Sequence, residues 1–309
     1  MPKFSVVISV YNKEKYISNT LESVLNQTFQ DFEIVILNDG STDNSEMEIL
    51  AFKDNRIRFF SEDNRGAGAG RNYVIKKAQG DYIALLDADD YWYPFYLEEQ
   101  LRLITKYPEA YVFATSSEIK RKEKTFQRSY SINLKNKNDL KLNYFKASLL
   151  DSILHSSSTV LKKEVFENVG FYDPNIKSGQ DTDLYVRIGL NYNIIFSPKV
   201  CVSYLIISNS LFHTTKKIVD KADFKVYEKF ENENINLKIF LDLNRYSLCL
   251  LAKMEGNTKA FQENFNKINI DFLNKKQRFL LKQNKYTLAL LFKTKKSLAN
   301  LGIRLSSFK

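Results

Sequence analysis

FSVVISVYNKEKYISNTLESVLNQTFQDFEIVILNDGS, residues 4–41, contains two apolar runs with a stretch of helical period between them. FSVVISVY (4–11) and FEIVILN (32–38) are rich in β-branched residues and show no sustained polar alternation, the pattern of strands buried on both faces. Between them, Ile17, Leu21, Val24 and Leu25 recur at helical spacing. Strand, helix, strand predicts a parallel pair joined by a crossover helix, and the alternation continues outward. DGSTDNS reads as a turn into a further helix cap, IRFF (57–60) as a third strand, and GAGRNYVIKKAQG as a helix closed by Gly80. DYIALL (81–86) reads as a fourth strand, and Pro94 suits the first turn of a helix through YLEEQLRLITKY. The expected fold class is therefore α/β, a mostly parallel sheet flanked by helices on both faces.

Farther along, Glu118 to Lys146 is polar with poor periodicity, which predicts surface loops and a hairpin. VLKKEVFENVGFYDP resumes as a helix and turn, DTDLYVRIGL as a helix, and IIFSPKVCVSYLII as the last strands. From about residue 216 the strand signals end and patterns of Lys, Asn, Phe and Leu take over. Two domains are expected: a sheet domain over 1–215 and a helical, basic C-terminal appendage over 216–309.

The 309 residues are 44 % hydrophobic and 14 % aromatic, the composition of a globular protein with a substantial core. Two cysteines provide no disulfide framework and fit a reducing cytosol. The opening residues do not read as a secretory signal, and no run reaches the roughly 18 apolar residues of a membrane span. A cytoplasmic protein is expected. The net charge of +10 is uneven: residues 1–200 hold 26 basic and 27 acidic side chains, residues 201–309 hold 20 and 9. After Asp271 ten Lys and Arg follow without one acid. Basicity confined to a tail argues against nucleic acid as the partner and for an anionic membrane surface met through residues 272–309. Leu281, Leu288, Leu291, Phe292, Leu298 and Leu305 fall near one helical face there, which would lie in the membrane interface or pack on the protein.

In IALLDADDYWYP (83–94) three carboxylates gather within four residues. Like charges so close repel and raise a pKa unless a cation lies between them. Open parallel sheets bind ligands beyond the carboxyl ends of their strands, and Tyr11, Asn12, Asp39 and the Asp87-Ala-Asp89-Asp90 turn all fall at such ends. One acidic turn alone reads equally well as a solvated loop or a helix cap; three clusters at one edge point to a site. GAGAG (66–70) has neither the spacing nor the position of a dinucleotide fingerprint, His155 and His213 without paired cysteines do not support zinc, and a Gly-x-Ser-x-Gly elbow is absent.

These stretches, with GAGAGRN (66–72), LLDADD (85–90), VGFYDP (169–174) and SGQDTDLYVRI (178–188), resemble inverting glycosyltransferase family two, over roughly residues 4 to 210. The resemblance implies the GT-A fold and transfer of a sugar from a nucleotide diphosphate donor, such as a UDP-hexose or UDP-N-acetylhexosamine, to a glycan or lipid-linked acceptor. Bacterial spore-coat, capsule and lipopolysaccharide glycosyltransferases are the comparison it suggests, and the Lys, Asn and Ile richness fits a bacterial source. It implies that Ser9, Tyr11 and Asp39 hold the base, that Arg71 lies beside base and phosphates, that Asp87 reaches the ribose, and that Asp89 with Asp87 holds Mn²⁺ or Mg²⁺. Hard oxygen ligands suit those ions. Asp181 falls on the family's catalytic base; spacing alone equally allows Asp181 and Asp183 to complement a helix dipole. Asp90 is left between helix cap and acceptor contact. Two departures stand out. Asn38 replaces an aspartate common before Asp39, and Leu205 and Ile207 occupy positions where relatives place an arginine and a metal-binding histidine, with His213 six residues on. The missing histidine keeps a second reading open, a non-catalytic nucleotide-sugar-binding scaffold; a nucleotidyltransferase would need a glycine-rich loop after the first strand, which SVYNKEK is not.

Overall fold

β1 (Phe4–Val10), α1 (Ile17–Leu25) and β2 (Phe32–Asp39) form the expected unit, the two strands parallel in register Phe4 with Phe32 to Val10 with Asn38. The structure is a computed structural model that describes residues 1–121, 124–134, 138–206, 217–300 and 305–308. α2 (Ser45–Leu50), β3 (Ile57–Glu62), α3 (Ala67–Lys77) and β4 (Tyr82–Leu85) continue the alternation. The resulting block β3-β2-β1-β4 is parallel throughout. Because successive strand side chains point to opposite faces, Val7, Val35, Leu37, Ile83 and Leu85 enter one core, and Val6, Ile8, Ile34, Ile36 and Ala84 enter the other. Burial on both faces explains why these strands read as unbroken apolar runs.

β5 (Tyr91–Trp92), α4 (Tyr96–Lys106), β6 (Val112–Arg121), β7 (Lys124–Gln127), β8 (Leu140–Leu142) and α5 (Tyr144–Ala147) follow. Then come β9 (Thr159–Lys162), α6 (Glu164–Val169), α7 (Gln180–Asn191) and β10 (Ile194–Leu205). The described strands make one sheet in the order β3-β2-β1-β4-β9-β6-β10-β5, with β7 on β6 and β8 on β10. β6 and β7 are the hairpin expected in the polar stretch. β9 runs antiparallel to both β4 and β6, so this half of the sheet is mixed, with only β6 and β10 parallel. Its four residues are too few to display a period, and the sequence there reads as the start of a helix.

Gly80 does not close α3, as the sequence reading has it. The helix ends at Ala78 in extended backbone, and Gly80 has no positive φ. A Cβ at Gly80 would stand 2.8 Å from the Ser5 nitrogen; the glycine is there because the chain passes against β1.

Beyond β10 the described chain is helical: α8 (Ile235–Glu255), α9 (Thr258–Phe265), α10 (Lys275–Lys282) and α11 (Lys285–Asn300), with short 3₁₀ turns. α8 has two working sides. Leu237, Phe240 and Leu241 join the first core, Phe240 lying 5.3 Å from the Tyr144 ring and 5.7 Å from Phe145. Tyr246, Cys249 and Leu250 build a third core with Leu281 and Leu288. The fully buried Asp242 accepts from Lys238, Arg245 and the Asn269 backbone N–H, which satisfies its charge. Cys201 and Cys249 are both buried free thiols, and burial pushes each up to about 12. Among the described residues no helix is long and apolar enough to cross a membrane.

Candidate functional site

At the carboxyl ends of β1 and β2 the two turns are laced together. Asn12 adopts a positive φ of 52°, and its side-chain oxygen accepts from the Thr42 N–H at 2.8 Å. The Asn12 N–H donates to Ser41 Oγ and the Lys13 N–H to Ser45 Oγ. Asn38 serves the same turn by accepting from the Ser41 N–H at 3.1 Å, so its replacement of an aspartate leaves a working support. Asp39 is 1 % exposed, and its two oxygens accept from the Arg65 and Gly66 N–H groups at 2.9 and 3.1 Å. Burial raises its pKa despite those bonds. Each oxygen keeps a second lone pair, so the carboxylate can still accept from a ligand N–H. Tyr11 is 48 % exposed at the mouth of this corner.

α3 is what brings Ser9 and Asp39 to one point. A Cβ on Gly70 would lie 2.3 Å from Ser9 Oγ and 3.4 Å from Asp39 Oδ2, so only a glycine lets the helix come this close. Gly70→Ala is expected to cost about 1–3 kcal/mol by overpacking, because the helix must move off Ser9 and Asp39. Thermal unfolding of the variant checks this.

One turn on, Arg71 is the hub of the site. Its guanidinium donates to Asp87 Oδ1 at 2.6 Å and faces Asp181 Oδ1 at 3.6 Å. One of its terminal nitrogens is buried without a hydrogen-bond partner. Burial opposes its charge, but Asp181 and Asp87 override that and hold it well above its ordinary value. For Asp87 burial likewise favours the neutral form, yet Arg71 wins and keeps the pKa below the usual carboxylate range. Asp181, in the first turn of α7, goes the other way: burial raises it, Asp87 adds to that, and Arg71 compensates only in part. Ser156 donates to the same Oδ1 at 3.2 Å. Next to Arg71, Asn72 clamps the Tyr172 backbone by two bonds of 2.8 and 2.9 Å, which brings that ring to 5.5 Å from the guanidinium.

The Asp-Ala-Asp-Asp turn sends its three carboxylates to different partners. Asp89 accepts from Lys13 Nζ at 2.6 Å; burial raises its pKa and Lys13 partly offsets this. Asp90 is neither a helix cap nor exposed. At 2 % exposure it takes the Ser157 hydroxyl on one oxygen and the Leu205 N–H, at 3.0 Å, on the other. Burial and the two neighbouring acids push its pKa well up. Leu205 thus holds a position of the family's arginine–histidine pattern and serves through its backbone; Ile207 and His213 lie outside the described residues.

An imidazole does stand with the acids: Asp87, Asp90 and His155 each offer a ligand atom, all within 4.8 Å of one another. Burial, with Arg128 nearby, pushes His155 down to about 3, so the ring is neutral and keeps a lone pair. That lone pair now accepts the Ser157 N–H at 3.2 Å. Two carboxylate oxygens and a neutral imidazole suit a hard or borderline divalent cation, and Asp89 adjoins the group in sequence. Of the expected metal ligands, Asp87 belongs to this cluster and Asp89 is paired with Lys13.

The structure therefore gathers Ser9 with Asp39, and Arg71 with Asp87 and Asp181. Lys13, His155, Ser156 and Ser157 join them unforeseen, because isolated serines and a lysine in a loop carry no pattern. Asp183 turns away, bonded to Arg187 at 2.7 Å and to Tyr227.

Two carboxylates, the partly exposed Asp181 and Asp87, thus share the Arg71 guanidinium close to the carboxyl ends of β1, β2 and β4. The model of glycosyl transferase family 2 matches residues 5–170, and the chain belongs to that family. It is 29 % identical over 273 residues to an uncharacterised glycosyltransferase of Rickettsia bellii, covering 84 % of this chain and 36 % of that one. It is 38 % identical over 103 residues to the Escherichia coli WfgD, a UDP-Glc:α-D-GlcNAc-diphosphoundecaprenol β-1,3-glucosyltransferase, covering 33 % and 41 %. The chain thus spans well under half the length of these two curated relatives. The fold matches that of S. aureus TarS (residues 1–349), solved with UDP-GlcNAc, with a TM-score of 0.56 and 18 % identity over 85 % of this chain and 89 % of that one. The family match and this structural likeness agree on a GT-A architecture.

Proposed function

We propose that this chain is a metal-dependent, inverting glycosyltransferase that takes a hexose or N-acetylhexosamine from a UDP-sugar and attaches it to a glycan or lipid-linked acceptor. The pathway would be assembly of bacterial surface polysaccharide or lipooligosaccharide, with residues 1–215 as the catalytic unit and 216–309 as its appendage. The enzyme would work in the cytoplasm, peripheral on the inner face of the membrane. The observation that carries the reading is the bridge of Arg71 between Asp87 and Asp181, one helical residue from the Ser9–Gly70–Asp39 contact. WfgD's UDP-glucose and TarS's UDP-GlcNAc support a UDP-sugar donor.

In this mechanism Asp39 accepts from the uracil N–H while Tyr11 stacks on the ring and Ser9 lines the pocket. Asp87 and Asp89 would hold Mn²⁺ or Mg²⁺ with Asp90 and His155 beside them, and the ion when bound supplies positive charge for the diphosphate. Arg71 and Lys13 add fixed positive charge for the same leaving group. Asp181 is the base. Ser156 and Arg71 engage its Oδ1, and Oδ2 would take the acceptor's proton. As that proton moves, the acceptor oxygen bonds to the anomeric carbon from the face opposite the diphosphate, the bond to the diphosphate oxygen breaks, and the configuration inverts.

The test is incubation with Mn²⁺ and a panel of UDP-, GDP- and dTDP-sugars, following nucleoside diphosphate release. Release from a UDP-sugar, lost on chelation and restored by Mn²⁺, is expected. Binding without turnover across the panel, with acceptor glycans present, would replace the enzyme by a scaffold.

A further inference from the structure

Of the apolar face that the sequence offers to a membrane or to the protein, part packs inward while Leu291 and Leu305 stay exposed. Leu281 and Leu288 are buried in the third core, and Phe292 packs against it beside Tyr246 and Leu250. Leu288 and Phe292 are one turn apart on α11 and mark its inner side. Tyr286, Leu290 and Lys293, at intervals of four and three, share the opposite side.

That outer side is apolar and cationic together. Phe279 is 56 % exposed, Tyr286 84 % and Leu290 64 %. Around them Lys275, Lys282, Lys285 and Lys293 are exposed, and no acid occurs after Asp271. We propose that the outward face of α10 and α11 docks on an anionic phospholipid surface. Large apolar side chains enter the acyl boundary, aromatic rings sit at headgroup depth, and lysines pair with lipid phosphates. A second copy fits badly, since it would set these four lysines of each chain against each other. Nucleic acid would use the lysines but leave the exposed Phe, Tyr and Leu in water. With no described helix able to span a bilayer, this surface lies on it.

The experiment is co-sedimentation of the full chain with vesicles of phosphatidylcholine alone or mixed with phosphatidylglycerol, at low and high salt. Binding only to the anionic vesicles, weakened by salt, is expected. Lys282→Ser/Lys285→Ser/Lys293→Ser should lower it by about tenfold or more, and Phe279→Ser/Tyr286→Ser/Leu290→Ser should lower it comparably. All six residues are exposed, and circular dichroism and release of nucleoside diphosphate with a soluble acceptor check that each variant is folded and active. Equal binding to both vesicle types, no binding by the parent chain, or indifference to both triple variants overturns the proposal. So does a parent oligomer that the apolar variant dissolves without any vesicle binding by the parent. Turnover with a soluble acceptor tests the glycosyl-transfer reading separately, so either idea can fail alone.

Discussion

Asp181→Asn lowers sugar transfer by about 10²–10⁴-fold while leaving UDP affinity near that of the parent chain. The amide keeps the shape and can still accept from Ser156, but it has no basic oxygen to take a proton. Arg71 and Asp87 remain paired, and the Ser9–Asp39 corner lies outside the substitution. A steady-state assay beside a calorimetric UDP titration separates the two quantities. Loss of UDP binding in step with turnover would show that Asp181 supports the donor pocket. The pH profile carries the same information. Burial raises the Asp181 pKa above 3.8, and the base works only when deprotonated, so activity falls as pH drops through that raised value. Removing the Ser156 hydroxyl, which favours the ionised form, moves this acid limb to higher pH.

Arg71→Met has the larger effect on folding. It strips two partly buried carboxylates of their shared cation, and breaking such pairs leaves charge uncompensated; with Asp87 and Asp181 still 23 % and 36 % exposed, about 2–3 kcal/mol is expected. The sign with pH is definite. Asp87 is depressed in the folded chain, so its contribution is present above its unfolded pKa and disappears as pH falls through the folded value. The deficit of Arg71→Met is therefore greatest near neutrality and narrows in acid, where protonated carboxyls no longer need the guanidinium. Denaturant midpoints across that range measure it. A constant deficit at all pH would mean that Arg71 acts by packing on Tyr172 and not by charge. Under the proposed mechanism transfer activity of the variant falls as well, since the diphosphate would lose the charge of Arg71.

What could be read beforehand follows from chain locality. β1, α1 and β2 each repeat one period long enough to announce themselves, and Asp39, Asp87 and Asp89 stand where such strands must end. β9 escaped because four residues, Thr159–Lys162, carry no period and precede a real helix. Asp90 could not be assigned because its two partners, Ser157 and Leu205, lie 67 and 115 residues away. His155 showed no pattern for the same reason: Asp87 and Asp90 follow β4, and β5 to α5 lie in the chain between them and the histidine. Gly80 matches a helix stop in sequence, while its reason is a strand it touches 75 residues earlier. For the tail the sequence left open whether its apolar face meets a membrane or the protein, because only the partner helix α8 decides which side is inside.

The two cysteines have a practical consequence. Cys201 lies in β10 of the sheet and Cys249 in α8 of the helical region, both wholly shielded. Alkylating reagents attack the thiolate, which neither sulfur forms near neutral pH at a value of about 12. Each therefore reacts only when its own surroundings open, so the two labelling rates report the opening of β10 and of α8 within a single molecule, and equal rates would show that the two open together.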